Sequence, residues 1–293
     1  MNGNIEIKKL AKAETEIILH LPWEEIKNKY EEVVNKSAAD AQIKGFRKGK
    51  APKKLVEETL DKSKVYSLVV QEILPSYYET AIKDNNLKPI VNPKVSLDSA
   101  KENENWEVRI LIAEKPQFSL GNYKEEIVKI NKSAEIWVPG KDEGKKDKEN
   151  DPQAIQKKKD EKIQAALKWL SENIKMDFSD LIIEEEVNRR LSQLVEQTQK
   201  LGLTIEQYLV STGKSVDQIK SEYQKEAASL WQIEFILEEI SDKENLTVEE
   251  KEINELIEKA GSEEEKKALT TQKYLLASVV RRQKTLDFLA NLS

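Results

Sequence analysis

The sequence predicts an α+β N-terminal domain, antiparallel strands with a helix-loop-helix, followed by a mainly α-helical, elongated C-terminal domain. Three observations carry this reading. Residues 4–20 read as extended, with "NIEIKK" alternating, and apolar residues alternate again through "NWEVRILIA", Asn105 to Ala113, the period of a strand. After Ala154 they recur at helical steps instead. Between these regions lies "PGKDEGKKDKENDPQ", Pro139 to Gln153, almost wholly charged and without an apolar cluster. Composition agrees: hydrophobic residues are 38% and charged residues 35% of 293, so much of the chain must lie at a surface. Glycine (9) and proline (8) are scarce, which favours long helices over many-turned β architecture.

Taken in order, residues 4–20 read as extended structure, and "TEIILHL" is β-branched and apolar. Pro22 opens a helix where its missing N–H costs nothing. Trp23, Ile26, Tyr30, Val33 and Val34 give that helix one apolar stripe. A basic loop follows, and after Pro52 comes a second helix marked by Leu55, Val56, Tyr66, Val69, Val70, Ile73, Tyr77 and Ala81, with a break near Asp61. "NNLKP" ends it, and "IVNPKVSL" and "NWEVRILIA" supply two more strands. The expected organisation is a domain over 1–127, a charged linker over 128–154 and a helical domain over 155–293. In the last, capping-box spacing occurs at Thr204–Gln207, Ser215–Gln218, Thr247–Glu250 and Ser262–Glu265. The helix from Ser215 carries a stripe of Val216, Ile219, Tyr223, Leu230, Ile233, Leu237 and Ile240. The final helix carries Leu269, Leu275, Leu276, Val279, Val280, Leu286 and Leu289.

Catalytic chemistry finds little to work with. There are no cysteines, which excludes disulfides, thiolate metal sites and cysteine nucleophiles. One histidine, His20, in a strand context, cannot build a multi-histidine metal site or a serine-histidine-aspartate set. The glycines of "GFRKGKA" and "GKDEGKK" are one residue too close for a phosphate-binding P-loop, and Ala51 stands where the hydroxyl should be. Carboxylate pairs such as Glu238–Glu239 and Glu249–Glu250 lie among lysines on helix exteriors, where nothing splits their pKa values. No metal or cofactor is expected. No apolar run approaches a membrane span and the N-terminus lacks an apolar signal region, so a cytoplasmic protein is expected.

One feature stands out electrostatically. The chain has a net charge of −6, yet "KGFRKGKAPKK" packs Lys44, Arg47, Lys48, Lys50, Lys53 and Lys54 together without an acid. Gly45 and Gly49 let the loop turn tightly, Pro52 presets the helix that follows, and Phe46 sits at the tip with no core to enter. An exposed aromatic beside an arginine, on a loop held by two helices, is the composition of an interaction hot spot. Its partner should be anionic: nucleic acid, a ribonucleoprotein surface or an acidic protein face.

"GFRKGKAP", Gly45 to Pro52, resembles the ribosome-docking signature of the bacterial trigger factor family, Gly-Phe-Arg-x-Gly-x-x-Pro, at Gly45, Phe46, Arg47, Gly49 and Pro52. "LGLTIEQYLVSTGKSVDQIKSEY" and "ILEEISDKENLTVEEKEINELIEKA" are similar in order and wording to that family's C-terminal chaperone region. The resemblance covers roughly residues 1–127 and 155–293. It implies an ATP-independent chaperone that docks at the ribosomal exit tunnel and holds nascent or unfolded chains. Lys44, Gly45, Phe46, Arg47, Lys48, Gly49, Lys50 and Pro52 would form the docking site on the large subunit. A homodimer off the ribosome is also expected. Members of the family usually carry an FKBP-like prolyl isomerase domain between the two parts. Here only the charged stretch near Pro139–Gln153 lies there, so isomerase activity is expected to be absent. Leu256, Ile257, Leu269, Tyr274 and Leu275 are candidates for contact with clients, or else they pack the helices together. Two alternatives are an extraribosomal holdase or assembly chaperone, and a nucleic-acid-binding module using the basic loop. The second lacks a basic helix stripe and stacking aromatics beyond Phe46.

Overall fold

Alternation in the first twenty residues resolves into a hairpin rather than one strand. The computed structural model describes residues 5–40, 46–47, 52, 55, 57, 59–135 and 152–293. Strands β1 (Ile5–Lys9) and β2 (Glu14–Leu21) pair antiparallel, Ile7 opposite Ile17. The turn between them places Lys12 and Ala13 at φ of 57° and 56°, a left-handed conformation that non-glycine residues rarely adopt. Helices α1 (Trp23–Asp40) and α2 (Lys62–Asp84) follow, then β3 (Lys94–Ser99) and β4 (Trp106–Ala113). The sheet order is β1-β2-β4-β3, antiparallel throughout. The break expected near Asp61 is the start of α2, where the Asp61 carboxylate accepts from the Ser63 N–H at 3.0 Å.

Period-two alternation decides which face of this sheet is buried. Ile17, Leu19 and Leu21 of β2 lie beside Ile110, Val108 and Trp106 of β4, and all six are buried. Ile26, Val33 and Val34 of α1 and Val65, Val69, Ile73, Tyr77 and Ala81 of α2 close over them. The opposite face carries Glu16, His20, Glu107 and Arg109. There Arg109 lies 2.5 Å from Asp98, 3.1 Å from Glu107 and 3.9 Å from Glu16. His20 Nε2 sits 3.2 Å from a Glu6 carboxylate oxygen. Residues 177–185 belong to the same compact unit as residues 1–115. Ser179 Oγ donates to Glu14 at 2.7 Å, and Lys94 pairs with Glu184 at 3.0 Å.

The second unit comprises Pro116–Met176 and Glu186–Ser293. Its helices are α3 (Tyr123–Glu135), α4 (Pro152–Asn173), α5 (Asp180–Lys200), α6 (Ile205–Thr212), α7 (Val216–Lys243), α8 (Glu250–Glu258), α9 (Glu263–Thr271) and α10 (Lys273–Ala290), α5 beginning in the first unit. Helix α3 straddles the expected boundary at residue 127, and its packing places it here: Tyr123 and Ile127 share a core with Ala166, Leu170, Ile174, Ile236, Leu237, Ile240 and Leu289. Of the expected stripe on α7, Ile219, Leu237 and Ile240 are buried, whereas Val216 and Leu230 are exposed.

Helix ends in this unit are closed by specific side chains. Thr204 with Gln207, and Ser215 with Gln218, form reciprocal capping boxes as the spacing predicts. Ser262 accepts from the Glu265 N–H, but the Glu265 carboxylate reaches back to Gly261 instead of Ser262. The Thr247–Glu250 pair does not cap: α8 starts later, with the Glu252 carboxylate accepting from the Glu249 N–H at 2.9 Å. Lys284 explains the shift, because it binds both the Thr247 carbonyl (2.8 Å) and Glu252 (2.6 Å) and so fixes this turn from α10. Carbonyls left open at helix ends are also met: Gln232 donates to the carbonyls of Ser171, in the last turn of α4, and Ile174, just beyond it, at 2.9 and 2.8 Å.

Candidate functional site

Helices α1 and α2, which flank the basic loop in the chain, are tied to each other and to the sheet. Lys29 and Lys36 stand seven residues apart on α1 and both reach Glu72 on α2, at 3.1 and 2.9 Å. Hydrogen bonds from Lys36 and then Lys29 hold the Glu72 carboxyl below its ordinary range. Tyr30 of α1 meets Tyr66 of α2 with ring centroids 4.9 Å apart, and Tyr66 meets Trp106 of β4 edge-on at 5.0 Å. Tyr66 donates to Glu102 at 3.1 Å, and Lys62 donates to the same oxygen at 2.9 Å. Burial first, then the hydrogen bond and charge of Glu102, push the Tyr66 hydroxyl well above its usual value, so it remains a donor. Further along, the Tyr77 hydroxyl donates to Glu25 at 2.7 Å. The α1–α2 pair is thus fixed by aromatic stacking, ion pairs and a shared core.

Between the two helices in the chain, Phe46 is 42% exposed, and Arg47 and Pro52 are exposed. Lys44, Gly45, Lys48, Gly49 and Lys50 lie outside the described residues. An exposed aromatic ring next in sequence to an exposed guanidinium can fill an apolar niche and grip an anion together.

The candidate client residues divide. Leu256, Tyr274 and Leu275 are exposed, Tyr274 at 91%; Leu269 is half-buried; Ile257, at 7%, packs inward with Ile253. Val279 continues the exposed line of Leu275 one turn on along α10. Sequence reasoning passed over a second exposed apolar group: Leu201, Leu203, Val210 and Val216 around α6, a helix with no buried residue. The available signal was four aliphatic residues flanking Gly202 and Gly213 with no periodic partner stripe. Gly202 and Gly213 both take positive φ there, 73° and 65°, and close those turns. Among the described residues no group of three or more histidine, cysteine or acidic side chains could hold a metal ion, and no helix is long and apolar enough to cross a membrane.

Comparison with known proteins covers nearly the whole chain. The family model described as "Bacterial trigger factor protein (TF)" matches residues 3–138. The model for that protein's C-terminus matches residues 145–291. Curated relatives include the trigger factors of Finegoldia magna (37% identical over 103 residues, 35% of this chain and 23% of that protein). Others are those of Lactococcus lactis subsp. lactis (24% over 132 residues, 45% and 31%) and Streptococcus suis strain 05ZYH33 (30% over 111 residues, 38% and 26%). The matched stretches thus span less than a third of each relative. A solved structure described as "Promiscuous Substrate Recognition in Folding and Assembly Activities of the Trigger Factor Chaperone" superposes with a TM-score of 0.64 at 14% identity, covering 98% of this chain and 100% of that one. At that identity the likeness shows the fold.

Proposed function

The chain belongs to the bacterial trigger factor family, and from that premise we propose that it is an ATP-independent chaperone that docks at the ribosomal exit tunnel and holds nascent or unfolded chains. One observation carries the docking half: Phe46 and Arg47 are exposed, in the segment of chain that joins two helices tied together by Glu72 and the Tyr30–Tyr66–Trp106 contacts. In this reading Phe46 fills an apolar niche on the large subunit, and Arg47 and Lys48 contact phosphate or carboxylate. Lys44 and Lys50 add salt-sensitive attraction, while Gly45, Gly49 and Pro52 shape the loop. Leu256, Tyr274 and Leu275 contact clients, joined by Val279 and the apolar group around α6, while Ile257 and Leu269 back them. The protein works in the cytoplasm, needs no cofactor and pairs with a second copy away from the ribosome.

The two family matches leave only residues 139–144 between them, which supports the proposal that prolyl isomerase activity is absent. Co-sedimentation tests the docking. Replacing Phe46, Arg47 and Lys48 together by alanine is expected to abolish pelleting with ribosomes while holdase activity on an unfolded client persists. Normal pelleting of the triple variant would refute the assignment and leave an extraribosomal holdase. Binding to free RNA as tight as to ribosomes would instead favour a nucleic-acid module.

A further inference from the structure

Strand β3 is left incomplete by its own fold. It is an edge of the sheet, and every residue from Lys94 to Asp98 is exposed. Val95 stands opposite Ile110 and Leu97 opposite Val108, both 0% exposed. The apolar face of the sheet therefore continues onto β3, yet Val95 and Leu97 remain 42% and 46% exposed. Among the described residues no strand pairs with its outer edge, which can therefore take another strand, and its length is bounded. Pro93, which has no N–H to offer, precedes it, and the pairing register with β4 breaks between Leu97 and Ser99.

Within that window the sequence is complementary to itself. Antiparallel pairing of two β3 strands about Ser96 puts Lys94 of each copy opposite Asp98 of the other, and Val95 opposite Leu97, each pair occurring twice. Opposite charges and apolar pairs placed directly across a ladder both stabilise it. A two-residue slip either way leaves a charge without its partner, and in-register parallel pairing sets lysine against lysine. Lys94 already meets Glu184 at 3.0 Å and Asp98 meets Arg109 at 2.5 Å. An ammonium has three donors and a carboxylate about four acceptor sites, so the new contacts extend these pairs rather than replace them. We propose that β3 is a homotypic docking edge: two copies of this chain join their sheets through β3 with a two-fold axis at Ser96. The inference rests on the proposed self-association and assigns its interface. Contact through one short strand is smaller than a standard stable interface, so the dimer dissociates on dilution. The two-fold uses both β3 edges and so closes the assembly at this face.

The absence of cysteine makes the test direct, because a single introduced cysteine can form a disulfide only between copies. Residues directly opposite in an antiparallel ladder have Cα atoms about 4.5–5.5 Å apart, within disulfide reach. Under mild oxidation the Ser96→Cys chain should cross-link at least about ten times faster than Ser221→Cys, a control at another exposed serine. Adding Leu97→Lys should bring the rate down to the control. Lys94→Asp and Asp98→Lys should each weaken the dimer, and the two together should restore it. Sedimentation velocity of the unmodified chain should show monomer giving way to dimer by about 100 µM, with melting temperature and ribosome pelleting unchanged by Leu97→Lys. A chain still monomeric at that concentration overturns the self-association reading and this interface together. A dimer that survives Leu97→Lys, equal cross-linking of the two cysteine variants, or Ser96→Cys capturing an unfolded client in preference to itself overturns the interface alone.

Discussion

Asn131 shows how much one side chain can decide. It lies on α3, 2% exposed, and its amide nitrogen faces the carbonyls of Leu289 (3.0 Å), Ala290 (3.4 Å) and Leu292 (2.8 Å). Those are carbonyls at the end of α10 that no further helical turn satisfies. Its own oxygen is buried without a partner, a cost accepted in order to aim the donors. Asn131→Ala should therefore cost about 1–3 kcal/mol, by removing the donors and stranding buried acceptors. Asn131→Asp keeps the shape but aims a carboxylate at three carbonyl oxygens, so it should cost more than alanine at neutral pH. Burial raises the pKa of such an acid, and protonation restores one donor, so the aspartate variant should recover stability relative to the parent as the pH falls. Urea midpoints at pH 7 and pH 4.5 check this. An aspartate variant no worse than alanine would remove Asn131 from the closure of α10.

Helix α5 is anchored by a carboxylate with almost no solvent. Glu186, 6% exposed, accepts from Arg189 at 2.7 and 2.9 Å and from Arg190 at 2.7 Å; Arg190 passes on to Glu226 of α7 at 2.6 Å. The Arg190 guanidinium also lies 5.9 Å from the Tyr223 ring centroid. The hydrogen bond from Arg189 is foremost in holding the Glu186 carboxyl below its ordinary range, against the opposing effect of burial. A lowered folded-state pKa means the stabilisation is present above the unfolded value, near 4.3, and is lost as pH falls through the folded one. Glu186→Gln should thus cost about 1–3 kcal/mol at pH 7, and the gap from the parent should close below about pH 4. Urea titrations at several pH values read this directly, and a gap constant from pH 7 to pH 3 would deny the clamp. Elements of this kind were partly legible beforehand. Thr204 and Ser215 were readable as caps because a box needs only local spacing. The start of α8 was not, because Lys284 sets it from 37 residues away along the chain. Strand β3 was legible as a strand from "KVSL", but its exposed edge was not, since alternation says which side chains share a face and not whether another element covers that face.

Across the whole molecule, the sequence marked two bodies through a change of hydrophobic period, and the structure gives each its own closed core. The sequence reading placed residues up to 127 in the first domain, because pattern does not say which core a segment joins; burial of Tyr123 and Ile127 beside Ala166 and Leu170 puts them in the helical body. The basic loop proposed for docking stood out because a basic, glycine-bounded aromatic contrasts with an acidic chain; the apolar group around α6 did not, because exposure is a property of neighbours. Separate cores make a further prediction. Ile110 and Ile240 are each 0% exposed, one in each core. Truncating either to alanine should cost about 2–5 kcal/mol through lost burial and the cavity left behind. Each loss should appear in the body that owns the residue. Peptide-resolved hydrogen exchange should show Ile110→Ala speeding exchange in β2, β4 and α2, with α4 and α7 unchanged, and Ile240→Ala doing the reverse. If either substitution accelerated exchange throughout the chain, the two cores would be one cooperative unit. Truncating a core residue of the helical body would then also loosen the α1–α2 pair that flanks the proposed docking loop, so ribosome pelleting of Ile240→Ala, expected unchanged, gives a second reading of the same independence.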